Sequence, residues 1–216
     1  MNTLVTIAVP GGRMLAEALA ALSAAGYPCD MDDGTRKLMF ESGRARFIVA
    51  RPGDVPVYVT HGAADLGIVG KDVLIEDRPD VYELLDLRFG AGRFVVAAPA
   101  DRAREAEATL ASPEVSGRVR VATKFPRVTE AFFTERGIRA QVIALRGATE
   151  LAPQAGLADM VVDIVSTGRT LSDNNLVVVA EVGRTTARLI ANRASFGLRS
   201  PVIKDLVEAL RRGIAS

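Results

Sequence analysis

Short β-branched runs alternate along this chain with stretches of helical period, and no other feature limits its fold so severely. A strand, a crossover helix and a further strand build a largely parallel sheet with helices on its faces. The runs are Leu4 to Val9, Arg46 to Ala50, Leu66 to Val69, Phe94 to Ala98, Val119 to Ala122, Gln141 to Leu145, Met160 to Ile164 and Leu176 to Ala180. Between them, Met14 to Ala25 is rich in Ala and Leu and stops at Gly26, while Arg127 to Arg136 stops at Gly137. Glycine accepts the left-handed conformation that ends a helix, so both stretches predict helices. The fold class is α/β.

At 216 residues the chain fits one large domain or two small lobes. No Ser/Gly-rich linker divides it, so lobes must be joined by structured crossings, and Leu85 to Arg93 and Glu181 to Arg184 are the glycine-bearing candidates. Two crossings predict a discontinuous first lobe, 1–90 plus 181–216, and a second lobe, 91–180, with a ligand cleft between them. The last helix, Ile203 to Ile214, then packs back on the first lobe.

Composition removes several chemistries. Lys and Arg number 27 against 26 Asp and Glu, a net charge of +1, so no global field exists to hold a nucleic acid, and an anionic ligand must be held locally. One cysteine, Cys29, and one histidine, His61, exclude a disulfide framework, a Cys/His zinc site and any Ser-His pair not built on His61. His61 reads as a polar surface residue and Cys29 as an inert thiol. The N-terminal MNTLVTIAVPGGR has no basic leader, and charges interrupt every apolar stretch, so the expectation is a cytoplasmic chain without a membrane span.

The richest segment is Met160 to Leu171, MVVDIVSTGRTL, where an apolar strand runs through Asp163 into Ser166, Thr167, Gly168, Arg169 and Thr170. Gly168 lets the backbone approach an anion, the following amides point outward, and three hydroxyls add donors, which suits a phosphate monoester. Asp163 would repel that phosphate and is suited to neutral hydroxyls beside it, as on a ribose. Phosphate and diol together describe a phosphosugar. The bland alternative is a helix cap.

Read from Glu150 to Leu171, the same segment resembles the signature of ATP phosphoribosyltransferases. Arg51-Pro52-Gly53-Asp54-Val55-Pro56, His61 to Asp72, Val121 to Pro126 and Ala187 to Ser195 resemble that family too. The resemblance implies a two-lobed fold similar to type II periplasmic binding proteins. It also implies the first step of histidine biosynthesis: ring nitrogen 1 of ATP attacks the anomeric carbon of phosphoribosyl pyrophosphate and pyrophosphate leaves. Because the chain stops about one helix after Asn192-Arg193-Ala194-Ser195, it resembles the short form without a histidine-binding regulatory domain. That form implies a partner subunit resembling histidyl-tRNA synthetase, a hetero-octamer with it, and a homodimer alone.

The resemblance also distributes roles. Arg51, at a strand end, is assigned to the pyrophosphate, and Arg36, with Lys37, to further leaving-group contacts, since the transfer needs cations more than a base. Glu150, Asp163, Ser166, Thr167, Gly168, Arg169 and Thr170 are assigned to phosphoribosyl pyrophosphate. Arg13, Asp65, Leu66, Gly67 and Lys71 are assigned to ATP. The family's Pro-Lys-Gly-Arg reads Pro10-Gly11-Gly12-Arg13 here, so one lysine is replaced by Gly11. Magnesium (Mg2+) is expected to ride on substrate phosphates with no protein ligand set. Two rival readings remain at this level: a non-catalytic binding module of the same fold, and a phosphoribosyltransferase with another nucleophile.

Overall fold

A computed structural model describes residues 4–29, 37–112, 118–166 and 168–215. Its contacts divide the chain into two units, Met1–Ala91 with Thr186–Ser216, and Gly92–Thr185. The first break falls one residue after the expected 90/91. The second falls five residues after 180/181, because the strand carrying Glu181 stays paired as far as Thr185 against Gly92.

The first unit holds β1 (Val5–Pro10), α1 (Leu15–Ala24), β2 (Met39–Ser42), β3 (Ala45–Ala50), α2 (Val55–Thr60), β4 (Leu66–Gly70), α3 (Lys71–Asp77) and β5 (Tyr82–Asp86). After the excursion through the second unit come β11 (Ala187–Ala191), α7 (Arg193–Leu198) and α8 (Ser200–Ala215). The sheet order is β2-β3-β1-β4-β11-β5. The second unit holds β6 (Gly92–Pro99), α4 (Ala103–Ala111), β7 (Val119–Thr123), α5 (Pro126–Glu135), β8 (Ala140–Ala144), β9 (Met160–Val165), α6 (Arg169–Asp173) and β10 (Leu176–Thr185), in sheet order β10-β6-β9-β7-β8.

Pairing is mixed, which corrects the expectation of a largely parallel sheet. Strands β1, β3 and β4 run parallel, as do β7, β8 and β9, but β2, β5, β6, β10 and β11 join antiparallel. Only Thr186 separates β10 from β11, so no crossover helix intervenes, and β11 returns against β4 in the opposite sense. The sequence pattern passed over β2, β5 and β11, of which β2 and β5 are the two edges of the first sheet. The edge strands β2 and β5 lack a buried face strong enough to show as alternation, with Met39 60% exposed.

Period-two alternation sends each inner strand's side chains to two cores. In β1, Val5, Ile7 and Val9 enter the core shared with Leu22 of α1 and Ile203, Leu206 and Leu210 of α8, while Ala8 enters the opposite core with Val55 and Val59 of α2. In β9, Met160 and Val162 meet Phe132 and Phe133 of α5, and Val161 and Val165 meet Leu171 of α6. Burial of each such aliphatic side chain contributes about 1.5–3 kcal/mol. Gly67 fixes how close α2 comes to β4: a Cβ there would lie 2.8 Å from Val59 and 2.9 Å from Val55. Among the described residues no helix is long and apolar enough to cross a membrane.

One ion pair contributes to the acid behaviour of the second unit. Arg120 grips Asp159 through Nη2 to Oδ1 at 2.7 Å and Nε to Oδ2 at 3.3 Å, and the Arg120 backbone N–H donates to Oδ2 at 2.9 Å. These bonds to Arg120 hold the Asp159 carboxyl below the ordinary carboxylate value. A carboxyl lowered by folding stabilises the native state above its unfolded pKa, and the contribution disappears as pH falls through the lower folded value. Asp159→Asn should therefore flatten the decline of Tm with acid below about pH 4, where free carboxylates titrate, and lower Tm at neutral pH, as thermal melts across a pH series will read.

Candidate active site

In the second unit, β9, β7 and β8 run parallel and side by side, so their carboxyl ends emerge on one edge of the sheet. Open α/β sheets place ligands at such edges. Here the edge carries a pocket of about 190 Å³ lined by Lys124, Glu150, Asp163, Ser166, Gly168 and Thr170, with Ile164, Val165 and Leu171. Register explains the company. Thr123 of β7 lies opposite Val162 of β9, so the next pair along is Lys124 beside Asp163. Beyond β8 the chain turns through Thr149–Leu151, which delivers Thr149 and Glu150 to the same place.

Asp163 is held on both oxygens. Its Oδ2 accepts the fully buried Thr149 hydroxyl at 2.6 Å and faces Lys124 Nζ at 3.4 Å, and its Oδ1 accepts the backbone N–H of Ile164 at 2.8 Å. A carboxylate offers about four acceptor sites, so about one remains for a further hydroxyl. Gly168 opens α6 at φ 77°, and a Cβ there would meet nothing within 4 Å. The position requires glycine for its backbone and leaves the space above it clear. Thr167 lies outside the described residues. Arg169 departs from the expectation: its side chain is 86% exposed, 3.8 Å from Asp173, and is not part of the pocket lining. The helical turn that seats Thr170 toward the pocket carries its neighbour outward.

The first unit repeats the geometry. Strands β3, β1 and β4 are parallel neighbours, and a cation follows each carboxyl end: Arg51 after β3, Arg13 in the turn after β1, and Lys71 directly after β4. The Gly11 N–H donates to the Ala50 carbonyl at 2.7 Å, tying the first two exits together. Arg13 and Arg51 are exposed, and Lys71 meets Glu83 at 2.5 Å. This is a cationic edge suited to phosphates. Arg36 lies outside the described residues.

Asp65 and Leu66 are not part of that edge. They stand at the amino end of β4, about 13–16 Å along the strand from Gly70 at ~3.3 Å per residue. Leu66 is fully buried in the core with Ile7 and Leu189. Asp65 is 8% exposed; its Oδ2 accepts the Thr6 N–H at 2.8 Å, and its Oδ1 accepts the Ser195 hydroxyl at 2.7 Å and faces Arg199 Nε at 3.3 Å. Asn192 completes the tie, accepting the Ser195 N–H and donating to the carbonyls of Val59 and Thr60. Gly67 is buried by helix packing. These three positions thus hold α2, α7 and α8 to the sheet, a role that sequence alone did not separate from ligand contact, because a strand-edge acid and glycine suit either.

Lys124 lies within the Val121 to Pro126 stretch, to which the resemblance assigns no role, and Thr149 immediately precedes the Glu150 to Leu171 signature. Lys124 follows the carboxyl end of β7, the neighbour of β9, and Thr149 lies in the turn after β8, one strand further out, an adjacency set by strand order. Among the described residues no three His, Cys, Asp or Glu side chains gather into a metal-holding group; Glu150 and Asp163 supply two carboxylates to the pocket.

Comparison with known proteins gives a consistent result. A sequence profile for the family described as ATP phosphoribosyltransferase matches residues 51–212. An ATP phosphoribosyltransferase of Moorella thermoacetica is 52% identical over 215 residues, covering 98% of this chain and 94% of that protein. Among solved structures, the ATP phosphoribosyl transferase (HisG:HisZ) complex from Thermotoga maritima superposes with a TM-score of 0.78 at 31% identity, over 98% of this chain and 99% of that one. The periplasmic aliphatic sulphonate binding protein SsuA of Escherichia coli shares the fold at 16% identity and a TM-score of 0.62, over 98% of this chain and 72% of that one.

The Asp65 tie makes a prediction for stability. Asp65→Ala strips acceptors from Thr6, Ser195 and Arg199, and hydrogen bonds to a charged group contribute about 1.5–3 kcal/mol. Urea unfolding should show a loss of at least that size, and an unchanged midpoint would return Asp65 to the ligand.

Proposed function

This chain belongs to the ATP phosphoribosyltransferase family, and from that premise we propose how its residues divide the reaction. The protein transfers the phosphoribosyl group of phosphoribosyl pyrophosphate to ring nitrogen 1 of ATP and releases pyrophosphate, the first step of histidine biosynthesis. Its fold is the two-lobed α/β type found in type II periplasmic binding proteins.

The bond from the anomeric carbon to pyrophosphate breaks with its electron pair leaving on the pyrophosphate, and the nitrogen lone pair forms the new C–N bond. The protein's task is to position two polyanions and to stabilise charge growing on the leaving group. In our reading the pocket of the second unit receives the phosphosugar. The Ser166 and Thr170 hydroxyls and the backbone at Gly168 receive the phosphate, the remaining acceptor site of Asp163 takes a ribose hydroxyl, and Glu150 supports it. The observation that carries this reading is a pocket edge where a glycine-opened turn and a pre-oriented carboxylate stand together.

Arg51, Arg13 and Lys71 on the first unit's cationic edge take the polyphosphates, with Arg51 on the pyrophosphate, where its attraction grows as charge develops. Asp65, Leu66 and Gly67 are assigned to the fold. Magnesium would be carried by the substrate phosphates and would help neutralise charge on them, and Glu150 is an oxygen donor of the kind it accepts. The Thermotoga complex suggests a regulatory partner here too. We assign to this chain a subunit resembling histidyl-tRNA synthetase, a hetero-octamer with it, a homodimer without it, and a cytoplasmic location.

The test is direct: the purified chain with ATP, magnesium and phosphoribosyl pyrophosphate should release pyrophosphate and form N-phosphoribosyl-ATP, resolved by mass. Turnover of free adenine but not of ATP would replace the nucleophile in this reading, and binding without turnover would make the chain a binding module.

Gly168→Val separates the pocket from a mere helix cap. A β-branched residue at φ 77° is strained, and its side chain projects into the clear space above the turn. We expect a folded variant whose phosphoribosyl pyrophosphate affinity drops more than that of Thr170→Val, which removes one hydroxyl donor at a cost of about 1.5–3 kcal/mol. Wild-type affinity in a folded Gly168→Val, measured by calorimetry, would move the phosphate elsewhere.

A further inference from the structure

Lys124 is the one cation among the described residues lining the second unit's pocket, where it faces two carboxylates, Glu150 and Asp163. A phosphate monoester entering that space adds further negative charge. Arg169 is 86% exposed and outside the lining, so among the described residues no second cation there offsets it.

Lys124 is also not needed to hold Asp163. Its Nζ stands 3.4 Å from Oδ2, longer than a well-made charge-assisted hydrogen bond, whereas Thr149 at 2.6 Å and the Ile164 N–H at 2.8 Å already fix that carboxylate. An ammonium has three donors, so at least two stay available when one faces Asp163. The backbone beneath it is fixed: the Thr123 hydroxyl donates to the Val162 carbonyl at 2.8 Å and accepts the Phe125 N–H at 2.9 Å, bracketing Lys124 on both sides. A pinned root, a four-carbon stem 38% exposed, and unused donors beside a glycine-opened turn describe a cation placed for a ligand.

We infer that Lys124 is a phosphate-binding residue of the phosphosugar site, its ammonium bridging Asp163 and the 5′-phosphate of the incoming ribose. The inference rests on the pocket's assignment to phosphoribosyl pyrophosphate. Lys124 then cancels the repulsion between that phosphate and Asp163, so that one pocket accepts a dianion and a diol together.

Calorimetry on the full chain tests this with three probes: ribose 5-phosphate, pyrophosphate and phosphoribosyl pyrophosphate. Circular dichroism checks folding of Lys124→Met, and Lys124→Gln, which keeps a donor, serves if the first variant unfolds. Loss of one charged hydrogen bond should weaken ribose 5-phosphate and phosphoribosyl pyrophosphate alike, by about ten- to a hundredfold. Pyrophosphate affinity should stay unchanged, the salt dependence of ribose 5-phosphate binding should become shallower, and Lys124→Arg should recover most of the affinity. Unchanged ribose 5-phosphate affinity in a folded variant, or a loss confined to pyrophosphate, overturns the assignment. If the wild-type chain itself fails to bind phosphoribosyl pyrophosphate, the reading of the pocket falls and this assignment with it; intact wild-type binding with an indifferent Lys124 removes the assignment alone.

Discussion

Parallel pairing obliges neighbouring strands to release their chains on the same edge of a sheet, and each unit gathers charged side chains on such an edge. In the second unit β9, β7 and β8 bring together side chains from residues 124, 149, 150, 163, 166 and 170, nearly fifty positions of sequence. In the first unit β3, β1 and β4 bring Arg51, Arg13 and Lys71 onto one edge in the same way. The antiparallel strands, β6 with β10 and β11 with β5, flank these trios. They extend the sheets and carry the chain between units without disturbing the shared edge.

The opposite edge of the first sheet has a different task. Asp65 gathers the backbone of Thr6, the hydroxyl of Ser195 and the guanidinium of Arg199 around one nearly buried carboxylate. Arg199 also donates to the Leu4 carbonyl at 2.9 Å. A buried acid is tolerated when its oxygens are satisfied, and here its partners come from the first strand, from α7 and from Arg199 at the junction of α7 and α8. A segment from the far end of the chain is thereby tied to the beginning. The same unit uses a second acid, Asp86, beside the chain exits: burial would raise its carboxyl, but the Arg88 N–H, the Thr186 hydroxyl and the Arg188 and Arg88 charges outweigh burial and hold it low. Arg188 further bridges Asp86 and Glu83, so the strands leading out of and back into this unit are cross-braced.

Electrostatics divides the two edges. The first unit's edge presents two exposed arginines and a lysine already matched by Glu83, a surface for highly charged phosphates. The second unit's pocket presents two carboxylates with one lysine, a lining better suited to a sugar whose hydroxyls need acceptors. Phosphoribosyl transfer needs both kinds of surface, since its donor carries a neutral diol between two phosphate groups.

The sequence by itself determined the fold class, most strands to within a residue or two, and the helices ending at Gly26 and Gly137, and it singled out the segment from Asp163 to Thr170 as the candidate phosphosugar site. These follow from local chemistry: period, glycine at φ above zero, and hydroxyls beside an amide-rich turn. Tertiary structure alone decided which residues share an edge. Asp65 and Gly67 have the residue types of a nucleotide site, yet one is buried under Arg199 and the other under α2. Arg169 sits inside the signature yet is exposed and outside the pocket lining, while Lys124 and Thr149, outside the signature, stand against Asp163. Strand order and register place them there, and both arise from pairings between segments about forty residues apart, which no local pattern encodes.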